Sequence, residues 1–159
     1  MMKIDIHHKE WCLVKRVLFV CTGNTCRSPM AEALLHHHGK EQFDVQSAGV
    51  FAEVGTDASL HAKNALEEKG ISIAHSSKLV TAELLEWSDV VLTMTAGHRQ
   101  LLLAHHPEIS EKVHTFYKFV EGTNKDISDP FGGSLAIYKA TLEEMEQLVQ
   151  TLVKKHSES

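Results

Sequence analysis

Two cysteines, an arginine and a serine crowd into the eight residues Cys21-Thr22-Gly23-Asn24-Thr25-Cys26-Arg27-Ser28. The apolar run Val17 to Val20 before them predicts a buried strand, the Thr-Gly-Asn stretch a tight loop, and Ser28-Pro29 a helix start with proline in its first position. Cys21 therefore stands where a strand hands over to a helix. The spacing from Cys21 to Arg27 lets the loop curl until its backbone N–H groups, from Thr22 through Gly23, Asn24 and Thr25 to Cys26, face one spot together with the guanidinium and the helix N-terminus. That spot suits a phosphate dianion. The same field favours a thiolate over a thiol, which makes Cys21 a candidate nucleophile. Arg27 would hold two phosphoryl oxygens in a bidentate fork and stabilise charge during transfer. Ser28 would donate its hydroxyl to the sulfur and help it leave. A core thiol beside a surface charge is the competing reading for a lone cysteine, but it does not explain the order strand, Gly, Asn, Arg, Ser-Pro.

The elements that must position these residues follow from periodicity and breakers. The strand at about 16–20 is apolar throughout, as a strand covered on both faces should be. A helix is predicted over 29–39 with Met30, Ala33, Leu34 and His37 on one face, then a strand over 43–50, a helix over 57–69 and a short helix over 81–87. A strand over 89–94, a helix over 96–105 and a strand over 112–116 follow. A long helix over 134–155 closes the chain, with Leu135, Tyr138, Leu142, Met145, Leu148, Val149 and Leu152 in phase. Strands alternating with helices predict parallel βαβ units in a three-layer α/β domain. Between the last strand and the last helix, Gly122 to Gly133 is a breaker-rich loop holding Asp129-Pro130. A carboxyl group over the loop mouth would protonate a leaving atom and then activate water, although an Asp-Pro pair by itself is the signature of a turn.

Composition bounds the rest. The 159 residues suit one domain, 15–159, after an extension, 1–14, made polar by Lys3, Asp5, His7, His8, Lys9 and Glu10 and expected to be flexible unless Ile4, Ile6, Trp11 and Leu13 dock on the body. A net charge of −5, with 16 basic residues scattered among 21 acidic ones, gives no broad electrostatic footprint for nucleic acid or an anionic membrane. No apolar run approaches the roughly 20 residues that span a bilayer, and the N-terminus lacks a signal-peptide stretch, so a cytoplasmic protein is expected. Three cysteines, at 12, 21 and 26, are too few for a disulfide framework. Cys21 and Cys26 share one loop, which leaves two alternatives: a reversible disulfide that shields the nucleophile, or Cys26 packed inward. The runs His36-His37-His38 and His105-His106 point adjacent side chains in different directions, so no metal is expected.

The run Cys21 to Ser28, together with Asp129-Pro130-Phe131, closely resembles the low-molecular-weight protein tyrosine phosphatases over about residues 15–154. That resemblance implies a three-layer sandwich with a four-stranded parallel sheet of order 2-1-3-4, helices on both faces, and the site at the carboxyl end of the first strand. It implies Cys21, Arg27 and Asp129 as catalytic residues and Phe131 as a slot wall; Phe51, on its aromatic type alone, is a second candidate wall. Ser47 and His75 would complete a network with Asn24 and Ser28 that supports the loop. Thr25 stands where tyrosine phosphatases usually carry a larger apolar residue, and is similar to the protein arginine phosphatase branch. The implied activity is hydrolysis of phosphoarginine in proteins through a cysteinyl-phosphate, by a monomer without metal or organic cofactor. A phosphotyrosine phosphatase is the nearest alternative. An arsenate reductase of similar fold needs resolving cysteines after the loop, and none follows Cys26. A phosphate or redox sensor without turnover would not need both Arg27 and Asp129.

Overall fold

In the computed structural model, which describes residues 14–158, strand β1 (Arg16–Cys21) runs through the middle of the molecule. The expected extension 1–14 lies outside the described residues except for Val14, which is buried. Val17, Leu18, Phe19 and Val20 are all fully buried, because successive side chains enter different cores. Val17, Phe19 and Cys21 join the larger cluster, while Leu18 and Val20 join a smaller one on the opposite face. Each such large apolar side chain contributes about 1.5–3 kcal/mol relative to exposure.

Strands β2 (Asp44–Gly49), β3 (Val90–Thr93) and β4 (Val113–Thr115) complete a parallel sheet of order β2-β1-β3-β4. β1 thus lies between β2 and β3, and its carboxyl end opens at the point where the strand order reverses. Cys21 is paired with Gly49 and Val20 with Thr93, so the two neighbouring strands flank the loop that begins at Cys21.

The helices cover both faces. On one side lie α1 (Arg27–Gly39), α2 (Leu60–Glu67), α5 (Phe116–Glu121) and α6 (Leu135–Ser157), whose apolar residues share the larger cluster. On the other lie α3 (Ala82–Trp87) and α4 (Ala96–His105), which supply Leu85 and Leu102 to the smaller cluster. The inward phase of α6 is as expected from its sequence, with Tyr138, Leu142, Met145, Leu148, Val149 and Leu152 buried.

Four local features differ from the sequence expectation. α1 begins at Arg27 and not after Ser28, because the Ser28 hydroxyl is used by the loop and no side chain caps the helix. Pro29 still falls in the first turn, where its missing N–H has no intrahelical partner to lose. His37, expected on the inner face, is exposed. In that last turn the inward contacts pass to His38, bonded to Glu146 at 2.8 Å, and to Gly39 against Val153. α2 starts later than expected because Ser59 caps it, its Oγ accepting from Ala62 N at 3.2 Å. Finally, β4 stops at Thr115 and gives way to the unforeseen α5, capped by Thr115 and closed by Gly122 at φ +77°.

Candidate active site

The loop between β1 and α1 is shaped by where its carbonyls go. Cys21 O accepts from Val50 N, Thr22 O from Phe51 N and Thr25 O from Ser59 N, each at 2.9 Å, and Asn24 O accepts from His75 Nε2 at 2.6 Å. All four carbonyls are therefore drawn outward to neighbouring elements. A trans peptide holds its N–H opposite its carbonyl, so the N–H groups of Thr22, Gly23, Thr25 and Cys26 turn to the inside of the cup. The uncapped N-terminus of α1 adds free amides to the same side. Asn24 makes the bend possible at φ +58°, a left-handed conformation that asparagine tolerates better than most residues. Its own N–H donates to Cys21 Sγ at 3.3 Å.

The supporting network is centred on the Asn24 side-chain amide, which both donates and accepts. Asn24 Nδ2 donates to Ser28 Oγ and to Ser47 Oγ, both at 2.9 Å, while Asn24 Oδ1 accepts from Lys78 N at 3.0 Å. Ser47 then passes its hydroxyl hydrogen to Glu32 Oε1 at 2.5 Å. Ser28, an acceptor from Asn24, also lies 2.8 Å from Cys21 Sγ, and its hydroxyl hydrogen is free to point at the sulfur. The Asn24 N–H and the Ser28 hydroxyl thus give the sulfur two hydrogen-bonding partners. A carbonyl can only accept, so the bond to Asn24 O fixes the proton of His75 on Nε2. Asn24, Ser28 and Ser47 are at most 1% exposed, which makes each of these bonds expensive to lose.

Arg27 is 6% exposed and lies across the cup from this network. Its Nη1 donates to Ile127 O at 3.0 Å, and its Nη2 is 3.6 Å from Asp129 Oδ2. Ile127 N is in turn held by Met94 O at the end of β3 at 2.9 Å, so the loop bearing Asp129 is tied to both the sheet and the arginine. Beyond that anchor the loop opens. The Asp129 side chain is 59% exposed and accepts only from Phe131 N at 3.1 Å, as an aspartate in a turn does. Phe131 is 80% exposed.

Cys21, Thr22, Gly23, Thr25, Cys26, Arg27, Asp129 and Phe131 together line one cleft of about 250 Å³. Of the loop residues expected to face the phosphate, Asn24 alone does not line the cleft: it is fully buried and stands behind it with Ser28, Ser47 and His75, because its side chain is spent on the supporting network. Phe51 lines a separate groove with Leu101 and His105 and is not a wall of this cleft. Cys21 and Cys26 are both free thiols. Cys26 Sγ lies 3.3 Å from Tyr138 Oη and donates to Ser59 Oγ at 3.7 Å. Among the described residues no three His, Cys, Asp or Glu side chains converge as a metal site, and no helix is long and apolar enough to cross a membrane.

Three supporting residues escape the sequence reading. Glu32 has the pattern of a helix surface residue, and only the packing of α1 against β2 places it on Ser47. Gly49 is required by close approach: a Cβ there would come within 2.5 Å of Thr22 O and 3.0 Å of Asn24 N. Its place after Ser47-Ala48 at the end of a strand is the one available signal. His98, on α4, bonds Thr22 Oγ1 at 2.8 Å from 76 residues away.

The comparisons with known proteins agree with this geometry. Residues 16–159 match the family described as low molecular weight phosphotyrosine protein phosphatase. The protein-arginine-phosphatase of Geobacillus stearothermophilus is 49% identical over 140 residues, covering 88% of this chain and 95% of that relative. The protein-arginine-phosphatase of Bacillus subtilis (strain 168) is 46% identical over 141 residues, covering 87% and 94%. The structure of the YwlE arginine phosphatase from Geobacillus stearothermophilus superimposes with a TM-score of 0.89 at 48% identity, covering 91% of this chain and 94% of that one. With a family match over 16–159 and close to half of its residues shared with such relatives, the chain belongs to the low molecular weight phosphotyrosine protein phosphatase family.

Proposed function

We propose that this protein is a protein-arginine phosphatase that hydrolyses phosphoarginine in proteins through a cysteinyl-phosphate. The observation that carries the reading is the single cleft in which the doubly hydrogen-bonded Cys21 sulfur, the Arg27 fork, the Asp129 carboxylate and the Thr25 hydroxyl all meet. The identity of nearly half to relatives named protein-arginine-phosphatase supports the choice of substrate.

In the first step the Cys21 thiolate attacks phosphorus, an S–P bond forms, and the P–N bond to the guanidino group breaks. Asp129, as the acid, gives its proton to the departing nitrogen. The inward amides and Arg27 stabilise the charge on the equatorial oxygens, and Ser28 prepares the sulfur as leaving group. In the second step water attacks phosphorus and gives its proton to Asp129. The S–P bond breaks, inorganic phosphate leaves and the Cys21 thiolate is restored. No metal or organic cofactor enters either step.

Thr25 is the proposed selector. A hydroxyl on the slot wall suits a polar, hydrogen-bond-rich phosphoguanidinium, and the Asp129 carboxylate left after proton transfer can pair with the departing guanidinium. A larger apolar residue would suit an aryl ring. Residues 15–159 act as one unit, with Phe131 as a slot wall, on phosphorylated proteins in the cytoplasm as a monomer. The free thiols of Cys21 and Cys26 and the net charge of −5 support that setting and argue against nucleic acid as a partner. The alternative, a phosphotyrosine phosphatase, differs mainly at Thr25. The test is Thr25→Ile: the ratio of phosphoarginine to phosphotyrosine hydrolysis should fall by about tenfold or more. An unchanged ratio would remove Thr25 as selector.

A further inference from the structure

His98 is 6% exposed, sits in the first turn of α4 and sends its ring to the phosphate loop, where Nε2 lies 2.8 Å from Thr22 Oγ1. The other ring nitrogen, Nδ1, is buried and has no hydrogen-bond partner. Thr22, by contrast, is exposed and lines the cleft directly after the nucleophile. The pairing joins a buried titratable side chain, unused by the chemistry above, to a hydroxyl at the mouth of the site.

We propose that His98 is a positioning residue for phosphate: its neutral ring donates Nε2–H to Thr22 Oγ1, so that the Thr22 hydroxyl keeps its own hydrogen for a phosphoryl oxygen in the cleft.

The tautomer follows from the orphaned atom. A proton on Nδ1 would bury an N–H donor without an acceptor, whereas a proton on Nε2 leaves only a lone pair unmatched there. The second is the milder defect and uses the Nε2–H on Thr22. Thr22 Oγ1 is then an acceptor, and its hydrogen is not required by the histidine. The opposite tautomer would spend that hydrogen on His98 and leave only an oxygen lone pair to face the anion. A charged ring is disfavoured first by burial and then by the Arg27 guanidinium, while Asp126 and Asp129 oppose this more weakly, and the result is a pKa lowered to about 4. The ring therefore stays neutral through the range in which such an enzyme would be assayed. Its position is fixed from behind: Thr95, the cap of α4, accepts from His98 N at 3.1 Å.

This inference uses the phosphatase reading only for the identity of the ligand, and inorganic phosphate serves as the probe. Phosphate affinity by calorimetry and kcat/KM on para-nitrophenyl phosphate would be measured for the full chain and for T22V, H98L, H98Q and the T22V/H98L double variant. We expect T22V and H98L each to weaken both quantities about tenfold, the double variant to be no worse than either single one, and H98Q to recover most of the loss. Nitrogen spectra of ring-labelled histidine should show His98 protonated at Nε2 and bare at Nδ1. Additive losses in the double variant, an unimpaired H98L, or a proton on Nδ1 would each overturn the proposal. If H98L does not fold, T22V, H98Q and the spectrum decide the matter. A wild-type protein that binds phosphate without turning over any substrate would refute the phosphatase reading but leave this test intact.

Discussion

On the loop side of the cleft Asn24 and Ser28 are fully buried and each polar atom of the Asn24 side chain is engaged, whereas on the facing side the Asp129 side chain is 59% exposed and Phe131 is 80% exposed. The difference matches the two kinds of work that the proposed mechanism assigns to these sides. Stabilising charge at phosphorus requires donors that are already aimed and do not reorganise, so the loop is locked by bonds to β2, α2 and the His75 segment. Delivering and accepting a proton requires a carboxyl that meets both leaving group and water, so the second loop is anchored at Ile127 and open beyond it. Changes on the locked side should therefore affect both stability and phosphate binding. Changes on the open side should affect turnover or substrate binding and leave stability unchanged.

The largest effect is expected at Arg27, where the two sides meet. Arg27→Lys keeps the charge but loses the fork and the bond to Ile127 O, and kcat/KM should fall about 1000-fold in steady-state assays. A fall of less than tenfold would reduce Arg27 to a point charge. Next comes Asp129→Asn, for which kcat should fall about 100-fold with the melting temperature unchanged. A clear loss of stability in that variant would break the contrast, because it would show the open side to be structural. On the locked side, Gly49→Ala pushes a Cβ to 2.5 Å from Thr22 O and should cost about 1–3 kcal/mol in denaturant unfolding while weakening phosphate binding. Stability equal to wild type would mean that the cup yields easily. The smallest effect is expected for Phe131→Ala, a rise in KM of roughly threefold to tenfold for protein substrates without a change in stability.

Much of this contrast was legible in the sequence, and unevenly so. The locked side is built from local signals: an apolar strand, a turn-forming Asn at the one positive φ outside glycine among the described residues, and Ser-Pro at a helix start. Its outer partners were not legible, because Glu32 and His98 become functional only through parallel packing that brings distant segments together. A glutamate or histidine inside a helix carries no local mark of its partner. The short β4 also misled, since Thr115 serves as the last strand residue and the cap of α5 at once. His37 failed for a related reason: its phase on α1 is inward, but the last turn makes its contacts through His38 and Gly39. The open side was legible as a breaker-rich loop, yet the role of Asp129 came from resemblance, and the structure adds the anchor that holds it 3.6 Å from Arg27.

Phosphate release from phosphoarginine and phosphotyrosine peptides of one sequence, with Cys21→Ser as control, tests the central claim most directly. Faster release from the phosphoarginine peptide, abolished by Cys21→Ser while phosphate binding persists, is the predicted result. Faster release from the phosphotyrosine peptide would contradict the substrate assignment, and turnover by Cys21→Ser at an undiminished rate would contradict the nucleophile.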